Sequence, residues 1–112
     1  MTFKVVMLQS AQIDLKTLRH YIIKQFSASA WQATYEHLKS SIRMLAELPH
    51  SGSIPDELQA LSLNHFRQVV SGMNRIIYEI RSQTVYVHII VDSRKSLQLL
   101  LTQRLLGAEL YR

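Results

Sequence analysis

With 112 residues, 47% of them hydrophobic, the chain has the length and composition of one folded domain, which we place at residues 1–112, and not of a disordered segment. The absence of cysteine excludes a disulfide framework and cysteine-based zinc sites or nucleophiles, and it is typical of a reducing cytoplasm. Thirteen Lys and Arg against eight Asp and Glu give a net charge of +5, which makes polyanions or an acidic protein candidate partners.

The N-terminal part of the chain predicts a strand followed by two helices. The apolar run from Phe3 to Leu8 has the length of a buried strand, and it is too short for a signal peptide or a membrane span. Ser10 and Ser27 stand where helix N-caps are expected. Apolar residues then recur every three or four positions in each predicted helix: Ala11, Leu15, Leu18, Ile22 and Phe26 in the first, and Trp31, Tyr35, Leu38, Ile42 and Leu45 in the second. We expect a helical hairpin that buries these stripes against a sheet.

The segment from Phe66 to Arg94 predicts a three-stranded antiparallel meander, after a long loop that begins at Pro49. Ser71–Asn74 and Ser82–Gln83 supply the two turns. Side chains alternate along the middle strand, so one face carries Ile76, Tyr78 and Ile80 and the other carries Arg75, Ile77, Glu79 and Arg81. In the last strand the alternation predicts an apolar row of Val85, Val87, Ile89 and Val91, opposite Tyr86, His88 and Ile90. The face of Arg67 relative to Arg75 depends on the length of the turn at Gly72, and it stays open.

A final helix is predicted from Lys95 to Leu106. Its six leucines exceed what one buried stripe needs, so we expect part of this surface to face a partner. The five histidines lack the spacing of a metal site, and no phosphate-binding loop, dinucleotide fingerprint or nucleophile motif is present. We therefore expect neither a metal nor a cofactor.

Three stretches resemble the RelE/ParE superfamily of bacterial toxins from type II toxin–antitoxin modules. SGMNRIIYEI (residues 71–80) is similar to the turn and strand of that superfamily, SIPDELQAL (residues 53–61) to the approach to FRQVV, and VHIIVDSRKSLQLLLTQRLL (residues 87–106) to its closing strand and helix. The resemblance implies an α+β fold: an N-terminal strand, and a helical hairpin packed on an antiparallel sheet that a three-stranded meander completes, with a short C-terminal helix.

The two branches of the superfamily imply different functions. ParE-like members inhibit DNA gyrase, which blocks replication, whereas RelE-like members cleave messenger RNA on the ribosome. For the nuclease branch the resemblance implies Arg75 and Arg94 as phosphate-binding residues, with His65 and Arg67 near further basic positions. Nuclease members often place a tyrosine about one turn into the final helix, where this chain has Leu99, Leu100 and Leu101. We therefore favour the ParE-like branch, with a role in growth inhibition and plasmid maintenance. One alternative is a ribosome-dependent endoribonuclease that uses Arg75 and Arg94, with His65 or His88 as a proton carrier. The other is a member that only binds its antitoxin.

The resemblance also implies a cognate antitoxin whose C-terminal segment folds on binding, in a toxin–antitoxin hetero-oligomer. We expect this segment to contact the surplus leucines of the final helix and the cations around them: Leu99, Leu100, Leu105, Leu106, Arg94, Lys95 and Arg104. The other expected partner is DNA gyrase in the cytoplasm, or ribosome and mRNA under the alternative, and no membrane is expected.

Overall fold

A computed structural model describes residues 2–110 of the chain, and for Thr102 and residues 105–110 it describes the backbone alone. The predicted α+β architecture is confirmed. The strands are β1 (Lys4–Met7), β2 (Phe66–Ser71), β3 (Asn74–Arg81) and β4 (Thr84–Asp92), and the helices are α1 (Gln9–Gln25), α2 (Ala28–Glu47), α3 (Asp56–Ala60) and α4 (Leu97–Leu110). No helix among the described residues is long and apolar enough to cross a bilayer.

The four strands form one sheet in the order β1-β4-β3-β2. As predicted, β2, β3 and β4 pair as an antiparallel meander. The N-terminal strand differs from the rest of the sheet because β1 lies parallel to β4, with Lys4 opposite Thr84. Parallel neighbours need a long connection, which the helical hairpin and the meander together supply.

The helical hairpin covers one face of the sheet, here named the hairpin face. Side chains from α1, α2, β3 and β4 form its core: Ala11, Leu38, Leu45, Ile76, Tyr78, Val85, Val87 and Ile90. The predicted orientation of Ile76 and Tyr78 is therefore confirmed. Leu18 and Ile42, from the middle of the two predicted stripes, are only partly buried against this core.

The opposite face of the sheet, here named the α4 face, has a smaller core beneath α3 and α4. Its buried members are Leu58, Ile77, Ile89, Val91, Leu97 and Leu101. The α3 helix is a short turn of helix within the segment that the sequence predicted as loop. Two layers of helix therefore enclose the middle of the sheet, and part of the α4 face remains for polar side chains.

A β-bulge at His88 overturns the predicted apolar row of β4. Ile77 pairs with Ile89 and Tyr78 pairs with Val87, so His88 has no partner of its own on β3. An extra residue shifts the alternation by one position. Val85 and Val87 therefore face the hairpin, as Ile90 also does, while Ile89 and Val91 face α4.

Of the three predicted helix starts, one is confirmed and two differ from the prediction. Ser27 caps α2 as expected, because its hydroxyl accepts a hydrogen bond of 3.0 Å from Ala30 N–H. The prediction for Ser10 is wrong: α1 begins earlier, at Gln9, and the Ser10 hydroxyl donates to the His88 carbonyl at 2.9 Å. A long-range bond to the bulge replaces the local cap. The last helix starts two residues later than predicted, and the Ser96 hydroxyl accepts from Leu99 N–H at 3.1 Å.

Candidate functional site

The guanidinium group of Arg75 forms hydrogen bonds with two neighbouring side chains of the fold. Its Nε donates to Gln68 Oε1 at 2.6 Å, while Nη1 and Nη2 donate to the two carboxylate oxygens of Glu57 at 2.7 and 3.0 Å. The side chain is 11% exposed. Its hydrogen bond holds the pKa of Glu57 below the usual value. All three guanidinium nitrogens are thus occupied, which leaves Arg75 poorly placed to bind a phosphate.

Arg67 lies on the other side of the sheet from Arg75. The connection between β2 and β3 has two residues, with Gly72 at φ 59°, and it sets Ser71 opposite Asn74. Arg67 is therefore opposite Tyr78, on the hairpin face. Its Nη1 donates to the Gly52 carbonyl at 2.7 Å. The structure thus decides the orientation that the sequence left open, and it does not bring Arg67 and Arg75 into one phosphate site.

Arg94 follows β4 and is the most accessible of the predicted catalytic arginines, with a side chain that is 65% exposed. Its Nε and Nη2 bond the two carboxylate oxygens of Asp92 at 2.9 and 2.7 Å. These bonds lower the pKa of Asp92 to about 2. A surface pair of this kind opens readily in water, so Arg94 can exchange Asp92 for an anion on a partner.

A cluster centred on Glu79 occupies the polar part of the α4 face. The Glu79 carboxylate, which is 7% exposed, lies 3.0 Å from His88 Nε2, 3.1 Å from Arg81 Nη2 and 3.7 Å from His65 Nε2. The ring of Phe66 packs against both imidazoles, with centroid distances of 4.3 Å to His65 and 5.1 Å to His88. Burial raises the pKa of Glu79, but the bonds from Arg81 and His88 outweigh it and keep the pKa low.

This cluster joins a predicted nuclease residue, His65, to other groups capable of proton transfer. A carboxylate that holds an imidazole is the arrangement of a general base and its orienting partner. Glu79 and Arg81 were not among the predicted site residues, although strand alternation did place both on this face. His88 lies on the same face as Glu79, as strand alternation predicts, because it follows Val87, which faces the hairpin.

The leucines of α4 divide between core and surface. Leu97 and Leu101 are buried and Leu100 is partly buried, whereas Leu99 is 59% exposed. The side chains of Leu105 and Leu106, also predicted to contact the antitoxin, lie outside those that the structure describes. Leu99 is thus the accessible leucine among the described side chains of the helix.

Arg104 is held inside the fold and does not stand on the rim of α4. Its guanidinium forms an ion pair with Asp14 of α1 and donates to the His88 carbonyl at 3.2 Å. Asp14 also accepts a bond from Ile90 N–H at 3.0 Å, and burial raises its pKa in spite of these donors. Arg104 therefore fastens α4 to α1 and to the bulge, which is not the role that the sequence predicted.

Four of the predicted antitoxin contacts do come together. A cleft of about 870 Å³ lies between α1 and the start of α4, here named the α1–α4 cleft, and its lining includes Arg94, Lys95, Leu99 and Leu100. Among the described residues no group of three or more His, Asp or Glu side chains is arranged to hold a metal ion.

Comparison with known proteins gives one family and several solved structures with the same fold. A family model for the ParE toxin of the type II toxin–antitoxin system parDE matches residues 5–98. No curated protein matches the chain. A chain from the chromosomal ParDE toxin–antitoxin system of P. aeruginosa superposes with a TM-score of 0.69 at 7% identity, over 81% of this chain and 96% of that one. A chain from the RelBE2 toxin–antitoxin complex of Mycobacterium tuberculosis gives a TM-score of 0.54 at 19% identity, over 82% and 99%. At these identities the two structures show the fold alone.

Proposed function

Because the chain belongs to the ParE toxin family of type II toxin–antitoxin systems, we propose that it inhibits DNA gyrase and thereby blocks replication until a cognate antitoxin binds it. The observation that carries this proposal is the dispersal of the cations that a nuclease would need. Arg67 and Arg75 lie on opposite faces, and Arg75 is bonded to Glu57 and Gln68.

The C-terminal helix supports the same choice. Where a ribonuclease of the superfamily often has a tyrosine, α4 has Leu99, Leu100 and Leu101, and Leu101 is buried in the core. A leucine supplies no proton donor and no hydrogen bond to a phosphate. The toxin then acts through binding and not through bond cleavage, in the cytoplasm where gyrase works, and the toxin–antitoxin pair arrests growth or maintains a plasmid.

The direct test incubates the purified chain with gyrase, ATP and supercoiled plasmid. We expect linear, cleaved plasmid to accumulate and supercoiling to fall as the chain is titrated, and equimolar antitoxin to reverse both effects. A reaction that lacks gyrase is the control, because any cleavage there would come from the chain itself. Full gyrase activity at a large excess of the chain would refute the proposal.

The Glu79 cluster favours one second candidate, a ribosome-dependent endoribonuclease. In that case His88, oriented by Glu79 at 3.0 Å, removes the proton of a 2′-hydroxyl, whose oxygen attacks the adjacent phosphorus and expels the 5′-oxygen, which takes a proton from water. The exposed Arg81 stabilises the charge on the phosphate. His88→Gln should then abolish mRNA cleavage during translation, while His20→Gln, a change at an exposed position on α1, should not. Cleavage that survives His88→Gln would exclude this site. A chain that neither inhibits gyrase nor cleaves mRNA, but still binds its antitoxin, would be a member that only binds its antitoxin.

A further inference from the structure

The solvent side of α1 carries a group of basic side chains. Lys16, His20 and Lys24 follow one another at four-residue spacing, and Arg19 is three residues from Lys16. Residues three or four apart are neighbours on a helix surface, so these four side chains share one face, here named the outer face of α1. All four are exposed. Ala11, which is fully buried in the core, lies on the opposite side of the helix from His20.

No carboxylate neutralises the cations of the outer face. Lys16, Arg19 and Lys24 form no ion pair with the residues that the structure describes. Five other lysines and arginines do form one: Lys39, Arg75, Arg81, Arg94 and Arg104. The single acidic residue of α1 is Asp14, and it is already bonded to Arg104. The outer face therefore holds three uncompensated positive charges, in a chain whose net charge is +5.

The neighbouring helix α2 shows that this surplus is a property of α1 and not of the whole hairpin. Its sequence has two glutamates, Glu36 and Glu47, which balance Lys39 and Arg43. Glu36 also lies 3.5 Å from Lys39 Nζ. The field of the hairpin is therefore positive over α1 and close to neutral over α2.

The make-up of the outer face favours phosphate groups over a protein surface or a membrane. Protein interfaces are centred on several buried apolar or aromatic side chains. Among the described residues, Ile13 is the only well-exposed large apolar side chain on this face, at 56%. Insertion into a lipid surface needs a free apolar stripe, but that of α1 is packed in the core of the protein. Phosphate binding needs cations and no apolar anchor.

The spacing of the cations fits the charge density of a nucleic acid duplex. From Lys16 to Lys24 the helix rises about 12 Å, at roughly 1.5 Å per residue. Duplex DNA carries one negative charge per about 1.7 Å of its axis, so a stretch of about 12 Å presents about seven phosphates. Three cations over this length can each meet a phosphate, and their long side chains adjust to its position.

We propose that the outer face of α1 binds the phosphate backbone of duplex DNA through Lys16, Arg19 and Lys24. Contacts of this kind position a protein on DNA without reading its sequence. The choice of DNA rests on the proposed function, because gyrase holds duplex DNA and the contact gives the toxin a grip on it. None of the three residues lines the α1–α4 cleft, so the DNA contact and the predicted antitoxin contacts lie on different surfaces.

Fluorescence anisotropy tests the proposal in the absence of gyrase, with a labelled DNA duplex of about 30 base pairs at about 50 mM salt. The triple variant Lys16→Gln/Arg19→Gln/Lys24→Gln should bind at least about 10-fold more weakly than the wild type. The slope of log K against log salt should also become shallower by about 2.7, or roughly 0.9 for each lost phosphate contact.

The matched control removes the same charge elsewhere. Lys4→Gln/Lys39→Gln/Arg43→Gln changes residues of β1 and α2, and it should bind within about 3-fold of the wild type with nearly the same salt slope. Thermal melting verifies that both triple variants fold. A duplex RNA of the same sequence is the second probe, and it should bind no more tightly than the DNA.

The gyrase assay separates this inference from the proposed function. A chain that binds DNA through the outer face and leaves gyrase active would support the inference and refute gyrase inhibition. No binding by the wild-type chain, equal losses in the two triple variants, or tighter binding of the RNA would overturn the inference. The same holds if the α1 variant keeps its affinity for DNA but no longer inhibits gyrase, because the outer face would then contact protein.

Discussion

Arg75 on β3 and Glu57 on α3 form a bidentate ion pair, with nitrogen–oxygen distances of 2.7 and 3.0 Å. The pair joins the edge of the α4 face to the short helix that follows Pro55. Arg75 is largely buried and Glu57 is 31% exposed, so the pair is better shielded from water than the surface pair of Arg94 with Asp92. Arg75, a candidate catalytic residue in the sequence, thus fixes the segment after Pro55 to the sheet.

Removing this arginine should destabilise the fold. We expect Arg75→Ala to lower the free energy of unfolding by about 1–3 kcal/mol, because Glu57 and Gln68 lose a partly buried partner. The control is Arg81→Ala on the same strand, where the side chain is 67% exposed and the loss should stay below about 1 kcal/mol. Urea unfolding of both variants gives the comparison, and equal values would mean that the Glu57 pair adds no stability.

Two leucines of α4, two positions apart, should respond differently to truncation. Leu97 is fully buried against the α4 face and Leu99 is 59% exposed. Leu97→Ala should cost about 2–5 kcal/mol through lost burial and a cavity, whereas Leu99→Ala should cost less than about 1 kcal/mol. Thermal or urea unfolding measures both values. A small effect at Leu97 would show that α4 is not docked on the sheet.

The hydroxyl of Tyr78 should be needed to hold the loop after α2. It donates to the Pro49 carbonyl at 2.7 Å and accepts from Gly52 N–H at 3.0 Å. Tyr78→Phe leaves both backbone groups without this buried partner, so we expect a loss of about 1–3 kcal/mol. Tyr86→Phe, on the half-exposed ring beneath Arg81, is the control and should be nearly neutral. Hydrogen exchange at Gly52 should accelerate only in the Tyr78 variant.

The pair of Asp92 and Arg94 predicts a specific dependence of stability on pH. Arg94 lowers the pKa of Asp92 from 3.8 to about 2 in the folded chain, so the pair stabilises the fold above the unfolded value of 3.8, and the contribution is lost as the pH falls through about 2. Asp92→Asn should lower stability by about 1 kcal/mol or less near neutral pH, because Arg94 is mostly exposed to solvent.

Urea unfolding in acid then tests the sign of this effect. The difference between wild type and Asp92→Asn should shrink steadily as the pH falls from 3.8 toward 2. Arg94→Gln removes the cation that lowers the pKa, so it should flatten the same part of the profile. A difference that grows in acid would contradict the assignment.

Patterns local to one segment gave correct predictions. Alternation along β3 placed Ile76 and Tyr78 toward the helices, and Arg75 and Glu79 on the opposite face. The cap at Ser27 and the turn at Gly72 were also readable, because each depends on neighbouring residues alone. The resemblance of residues 71–80 to the superfamily indicated the family of the chain. The family model that matches residues 5–98 supports this assignment.

The tertiary structure decided the features that depend on contacts between distant segments. Ser10, Asp14 and Arg104, from the two ends of the sequence, bond the backbone of β4 at the bulge. Beyond it Ile89, Ile90 and Val91 depart from the expected alternation. The two-residue turn sets Arg67 against Tyr78, and α3 brings Glu57 to Arg75. Strand periodicity fixes only which residues share a face within one strand. Register, bulges and the pairing of charged groups depend on which segments meet, so the α1–α4 cleft and the Glu79 cluster could be found only in the folded chain.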